Sequence, residues 1–403
     1  MEVPGLNETQ VYADLFRQSV LEDIPYWQNY LNKEEVDTPT LKRKREQIIR
    51  NIQFALDLEE AGWQPVQSLI EAFSSYMERW GYWEIWNRLL RRAVNVAERM
   101  GDDSAVVSLS RLVARLLFQQ SRFKESIQSY RQTIRIARQL GDKTNKAKAC
   151  SNLGYLFIEQ GYLWRSELLC CYALKMFEQL GSDHGRAHTE NHLGVLYEVQ
   201  RRWDEAQWHL ERACQVWEVM GDQHGLLRGY INLGTLYTRK DQPDQALLYL
   251  KKAVDLAKLT GEEPALGTIY MNMGYAFRVK GDLTEAKIYG NQAESIFRRF
   301  SNSAGLAQVW DNLGLVCLYL EQWSEAKSYL TASLKMWRSL KNEKGEIETL
   351  VDLVEYELTR NNWLQAKIQL TTLKELLDRH SAQREYAYLQ PTLEKYCRSL
   401  VDH

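Results

Sequence analysis

The chain has 403 residues, 45% of them apolar and 26% charged, with a formal net charge of −2. A balance this close to neutral excludes a global electrostatic pull toward nucleic acid or an anionic membrane. Only seven prolines stand among a large excess of helix-forming Leu, Ala, Glu, Arg and Gln, which argues for an almost wholly helical chain.

The first residues, MEVPGLNETQ, lack the apolar core of a signal peptide, and no apolar run reaches membrane-spanning length. The expectation is a cytoplasmic protein. Residues 1–62 stand outside any repeat. Asn7 followed by Gln10 matches a capping box for a helix through Ser19, and Pro39 opens a second helix that runs to Gly62. This segment reads as a small helical cap, with an independent effector module as the alternative. The basic run Lys42-Arg43-Lys44-Arg45 reads as a solvated helix face, or as a dock for an acidic partner.

From residue 63 a fixed period governs the chain. Gly154, Gly194, Gly234, Gly274 and Gly314 step by 40 without an insertion, continuing backward to Ala114 and Ser74 and forward to Val354. Ser126, Ser166, Ala206, Ala246, Ala286, Ala326 and Ala366 keep the same step, as do Gly101, Gly141, Gly181, Gly221 and Gly261. Each period reads as two helices. KAKACSNLGYLFIEQ (146–160) stops at Gly161 and WRSELLCCYALKMFEQL (164–180) stops at Gly181, as a left-handed C-cap requires. Short connections make neighbours antiparallel, and small residues mark where their backbones approach. One hairpin cannot bury both faces, so it stacks on the next. The fold expected is all-α: a solenoid of about eight 40-residue helical hairpins with helical caps. The hairpins fall near 65–101, 104–141, 144–181, 184–221, 224–261, 264–301, 304–341 and 344–380. A capping helix follows in 381–403, kinked or split by Pro391.

WDNLGLVC (310–317) fits the W-x2-L-G-x2-Y opening of the tetratricopeptide repeat, with Cys317 in the tyrosine place. YINLGTLY (230–237) keeps the terminal Tyr237, and WSEAKSYLTAS (323–333) supplies the second-helix alanine. The common unit is about 34 residues and ends in proline, whereas here it is 40 and ends in LGD (140–142) or MGD (220–222). This longer form resembles kinesin light chains, LGN-class scaffolds, bacterial Rap-type peptide receptors and the sensor arms of large bacterial signal-transduction NTPases. The resemblance implies a right-handed superhelix whose first helices line a concave groove. It also implies a protein-binding scaffold, adaptor or signalling regulator.

Chemistry is sparse. No phosphate loop, HExxH, GxSxG or EF-hand pattern occurs, so no catalytic residue and no cofactor are expected. The six cysteines (150, 170, 171, 214, 317, 397) form no CxxC pair and read as buried reduced thiols. Trp83, Trp203, Trp323 and Trp363 share one position in the period and read as core, while Trp63 and Trp80 stay open. His184, His188 and His192 lie four apart on one helix face and form the one stripe that suggests a metal or enzymatic site; groove-lining histidines are the preferred reading.

The resemblance puts the concave positions six, three and two residues before each Gly and one, four and five after it. Two before stand Asn152, His192, Asn232, Asn272, Asn312 and Asp352; six before stand Lys148, His188, Arg228, Thr268, Gln308 and Glu348. Arg115, Tyr155 and Tyr275 follow the Gly, with Glu159, Arg239, Arg278 and Tyr319 farther on. The face is polar and aromatic. It is basic at first (Arg111, Arg115, Lys148, Arg228, Arg239, Arg278) and acidic later (Asp311, Glu348, Asp352, Glu355). An extended peptide with an acidic segment suits that gradient. An amide offers donor and acceptor together, so the Asn row matches a peptide backbone, the alternative being that it ties adjacent first helices. A second functional reading is a Rap-type regulator that compacts when a peptide binds.

Overall fold

The computed structural model describes residues 8–31, 37–58, 60–379 and 389–401. Among these, every regular element is an α-helix, and none is long and apolar enough to cross a membrane. The chain divides into two compact units, 1–150 and 151–403.

The first unit holds α1 (Glu8–Leu31), α2 (Thr38–Asp57), α3 (Glu60–Arg79), α4 (Trp83–Arg99), α5 (Asp103–Gln119), α6 (Phe123–Leu140) and the start of α7 (Lys143–Glu159). Ile24, Trp27, Ile48, Ile52, Val66, Ile70 and Phe73 share one core, so α1 and α2 pack directly on α3. Two polar ties add to it: Gln28 Nε2 donates to the Pro65 carbonyl at 2.6 Å and Asn51 Nδ2 to Asp23 at 2.8 Å.

Gly62 does not end a helix. The second helix stops at Asp57, and Gly62 lies inside α3, where an added Cβ would strike the Ala55 backbone carbonyl. The residue is there for close helix approach, not for a left-handed cap. Asn7 lies outside the described residues, and so do residues 380–388 of the expected C-terminal helix. Its described part, α19 (Gln390–Val401), begins one residue before Pro391, which stands in its first turn.

In the second unit the rest of α7 is followed by α8 (Leu163–Gln179), α9 (Asp183–Val199), α10 (Trp203–Met220), α11 (Gln223–Arg239), α12 (Pro243–Thr260), α13 (Glu263–Lys280), α14 (Leu283–Arg299), α15 (Ser303–Tyr319), α16 (Trp323–Leu340), α17 (Glu343–Thr359) and α18 (Trp363–Arg379). Odd and even helices pair as antiparallel hairpins, and each even helix packs against the next odd one. The unit is an α-solenoid.

The glycine register explains the pairing. A Cβ on Gly194, Gly234 or Gly314 would fall 2.6 Å from the Leu210, Leu250 or Leu330 side chain sixteen residues on. Each missing methyl makes room for a leucine of the partner helix, and filling it would overpack the hairpin. The GD ending is a paired stop and start. Gly221 (φ +67°) closes α10 in the left-handed region, and Asp222 then caps α11 by accepting from Gly225 N–H at 2.9 Å. Ser182, Asn302 and Asn342 cap α9, α15 and α17 in the same way.

Candidate functional site

The odd helices of the second unit place one residue of each expected groove register per hairpin. Six residues before the glycine, His188 and Thr268 are half-buried while Arg228, Gln308 and Glu348 are exposed. No member of this row is buried. Two residues before the glycine the row is deeper: Asn152, His192 and Asn232 are half-buried, and Asn272 and Asn312 are buried.

The amides make bonds within the chain. Asn232 Nδ2 donates to Asn191 Oδ1 at 2.8 Å, and Asn272 Nδ2 donates to Thr235 Oγ1 at 2.9 Å, each reaching the preceding odd helix. Asn312 accepts from Arg278 Nε at 2.8 Å and packs its Nδ2 over Gly274. His192 holds the same place with Nδ1 at 2.9 Å from Ser151 Oγ, its ring 4.8 Å from Tyr155. Burial and the nearby Arg228 push its imidazole down to about 3, so it is neutral at physiological pH.

Several expected groove cations are likewise engaged. Arg239 Nε lies 3.0 Å from Glu198, a carboxylate that burial pushes above its ordinary range despite the arginine. In the first unit, Arg115 bonds Glu78 at 2.6 Å, and burial with neighbouring Arg111 lowers the Lys148 ammonium. Tyr275 donates to the Gln308 carbonyl at 3.2 Å, and burial raises the phenols of Tyr155 and Tyr275.

The acidic end is partly structural too. Asp311 accepts from Trp337 Nε1 at 3.1 Å and from Thr349 Oγ1 at 2.8 Å, while Tyr319 donates to Glu355 at 3.0 Å. Burial is the main reason that the Asp311 and Asp352 carboxyls lie well above the usual carboxylate range; their nearness to each other adds to the shift at Asp352.

The histidine stripe separates. His192 turns to Ser151, whereas His184 and His188 lie with ring centres 4.5 Å apart beside Asp222. Trp63 and Trp80 are buried, with Trp63 Nε1 donating to Asp102 at 3.0 Å, so no open tryptophan cage forms. Trp83, Trp203, Trp323 and Trp363 open their helices and are half-buried; the first three pack against the cores from the edge. Cys171 is exposed and Cys397 half-buried, against the expectation of six buried thiols; the other four are buried.

One register escaped the sequence reading. Gly185, Gly225, Gly305 and Gly345 sit over the aromatic rings of Phe177, Trp217, Phe297 and Trp337 on the preceding even helix. The same two positions hold Ala257 and Ala265 at the α12–α13 junction. A ring meets glycine at four junctions, and two alanines hold the corresponding positions at the fifth. This signal was present at a spacing of eight residues and needed only volumes to be compared.

The tetratricopeptide-repeat family model matches residues 185–258 and 265–372. No curated protein matches the chain. Among solved structures, the Rap conjugation gene regulator of plasmid pLS20 in complex with the Phr* peptide is similar at 15% identity. The match covers 93% of this chain and 98% of that one with a TM-score of 0.57. A Rap protein complexed with Competence and Sporulation Factor is similar at 12% identity over 83% and 98% of the two chains, TM-score 0.56. Aspartyl phosphate phosphatase F from Bacillus subtilis is similar at 14% identity over 91% and 95%, TM-score 0.55. With a 40-residue period, helical hairpins and glycine-for-leucine packing already in view, these matches give one conclusion: the stretch from 185 to 372 is built of tetratricopeptide repeats.

Proposed function

We propose that the second unit binds an extended peptide segment of a partner protein along its odd helices. The observation that carries this reading is the outer row: His188, Arg228, Thr268, Gln308 and Glu348 occupy one register on five successive hairpins, none is buried, and no two are alike. A row kept only for packing has no reason to stay open and vary, whereas a row that reads successive side chains of a ligand does. The deeper amides then act mainly as ties that hold the odd helices in register beneath it. Polarity follows from charge. Arg228 favours an acidic residue near α11, and Glu348 favours a basic residue near α17. Of the structures with a similar fold, one is in complex with the Phr* peptide and one with Competence and Sporulation Factor.

The test is selection of a random peptide library on the protein in EDTA, comparing wild type with Arg228→Glu/Glu348→Lys. The expected result is a peptide family with acidic and basic ends that loses at least about tenfold in affinity for the double variant. No enrichment by wild type, or equal binding by both proteins, overturns the proposal.

A further inference from the structure

We propose that His184, His188 and Asp222 form a binding site for a divalent transition-metal ion of the zinc class. The two histidines lie one turn apart on α9, so their rings project from the same face. The third donor comes from the next hairpin: Asp222, the residue that caps α11. One ligand atom from each residue falls within 4.8 Å of the others, and His184 Nε2 is 3.4 Å from Asp222 Oδ2. Two ligands bound at about 2.0–2.1 Å to a tetrahedral ion stand roughly 3.4 Å apart, so this pair needs little movement.

The capping bond divides the carboxylate's work. Asp222 Oδ1 accepts from Gly225 N–H at 2.9 Å, which fixes the side chain and leaves Oδ2 directed to His184. A protein N–H holding a ligand in place is the kind of support that metal sites use. His188 is prepared in another way. Arg228 Nη2 lies 3.2 Å from His188 Nε2, and because a guanidinium only donates, that nitrogen presents its lone pair. A metal ion takes the same lone pair, so it must displace the arginine. Arg228 is thus a competitor for the site.

The neighbouring junction supplies a control inside the same molecule. His224 and Glu262 repeat the His184–Asp222 pair one period later, but Arg228 stands where the second histidine would be. Among the described residues, three donors converge at one junction alone. Two imidazoles and one carboxylate select zinc, nickel or cobalt over calcium or magnesium, which prefer all-oxygen sites.

The experiment uses the whole chain without peptide, so its result is independent of the peptide reading. Zinc is titrated into the protein by calorimetry, and cobalt binding is followed by visible absorption. We expect one saturable site. His188→Ala and Asp222→Asn should each weaken it at least tenfold, and the asparagine keeps the helix cap. His224→Ala should leave affinity unchanged, and Arg228→Ala should tighten binding. No saturable site, or a site whose affinity ignores His188→Ala and Asp222→Asn, overturns the assignment; so does a loss on His224→Ala equal to that on His188→Ala.

Discussion

Truncating one amide separates a solenoid tie from a simple surface contact. Asn232 is half-buried, yet its Nδ2 donates to Asn191, which is only 4% exposed. Asn232→Ala removes that bond, worth about 0.5–1.5 kcal/mol net, and strands a buried carbonyl, which raises the cost toward about 1–3 kcal/mol. Asn272 is more deeply buried, but its acceptor differs. Thr235 keeps its own bond to the Ile231 carbonyl at 3.0 Å, so Asn272→Ala leaves no orphaned donor. We expect the more exposed asparagine to cost more. The assay is a double-mutant cycle over Asn191→Ala and Asn232→Ala, with urea unfolding followed by far-UV circular dichroism and m compared across variants. A coupling energy of about 0.5–1.5 kcal/mol is expected. Asn232→Ala less costly than Asn272→Ala, or a coupling below about 0.3 kcal/mol, refutes the reasoning.

Two further outcomes follow from other parts of the second unit. Burial makes the Asp311 and Asp352 carboxyls hold their protons more tightly folded than unfolded, so their contribution to stability grows as pH falls from above the folded value toward roughly 3.9. Asp352→Asn should therefore raise the melting temperature at pH 8 and shrink the gain seen on moving to pH 5; a variant less stable than wild type at pH 8 contradicts this. At the ring-facing register, a Cβ on Gly305 would lie 2.8 Å from the Phe297 ring. Gly305→Ala should cost about 1–3 kcal/mol by overpacking, while Ala265→Gly costs only about 0.5–1 kcal/mol, the usual helical glycine penalty. Thermal melts of the two variants decide, and equal losses would remove the packing argument.

The repeat was legible because a constant step of 40 makes each small residue testify for the next, and one unit's helical reading transfers to all. Gly62 misled because glycine means two things locally. Only the place of Ala55 in space shows that this one serves close approach. Exposure on the odd helices was legible from helical spacing, since Arg228, Gln308 and Glu348 do face solvent there. What the amides bond was not, because Asn232 pairs 41 residues back and Asn272 pairs 37 back. That choice depends on how far adjacent helices slide along each other, which the period does not encode. Asp222 was hidden as a metal donor for a related reason: its capping role accounted for it fully within its own helix.

The ring-against-glycine junctions make the hairpins of this array non-interchangeable. The hairpin that begins with Ala265 fits behind Ala257, but placed after α10 its methyl would meet the Trp217 ring that Gly225 now clears. A glycine-headed hairpin behind Ala257 would leave a hole where a ring belongs. Each joint thus carries an address written in volume, and duplication of a hairpin survives only if the copy lands beside a matching neighbour. An array that looks modular along its sequence has a prescribed order.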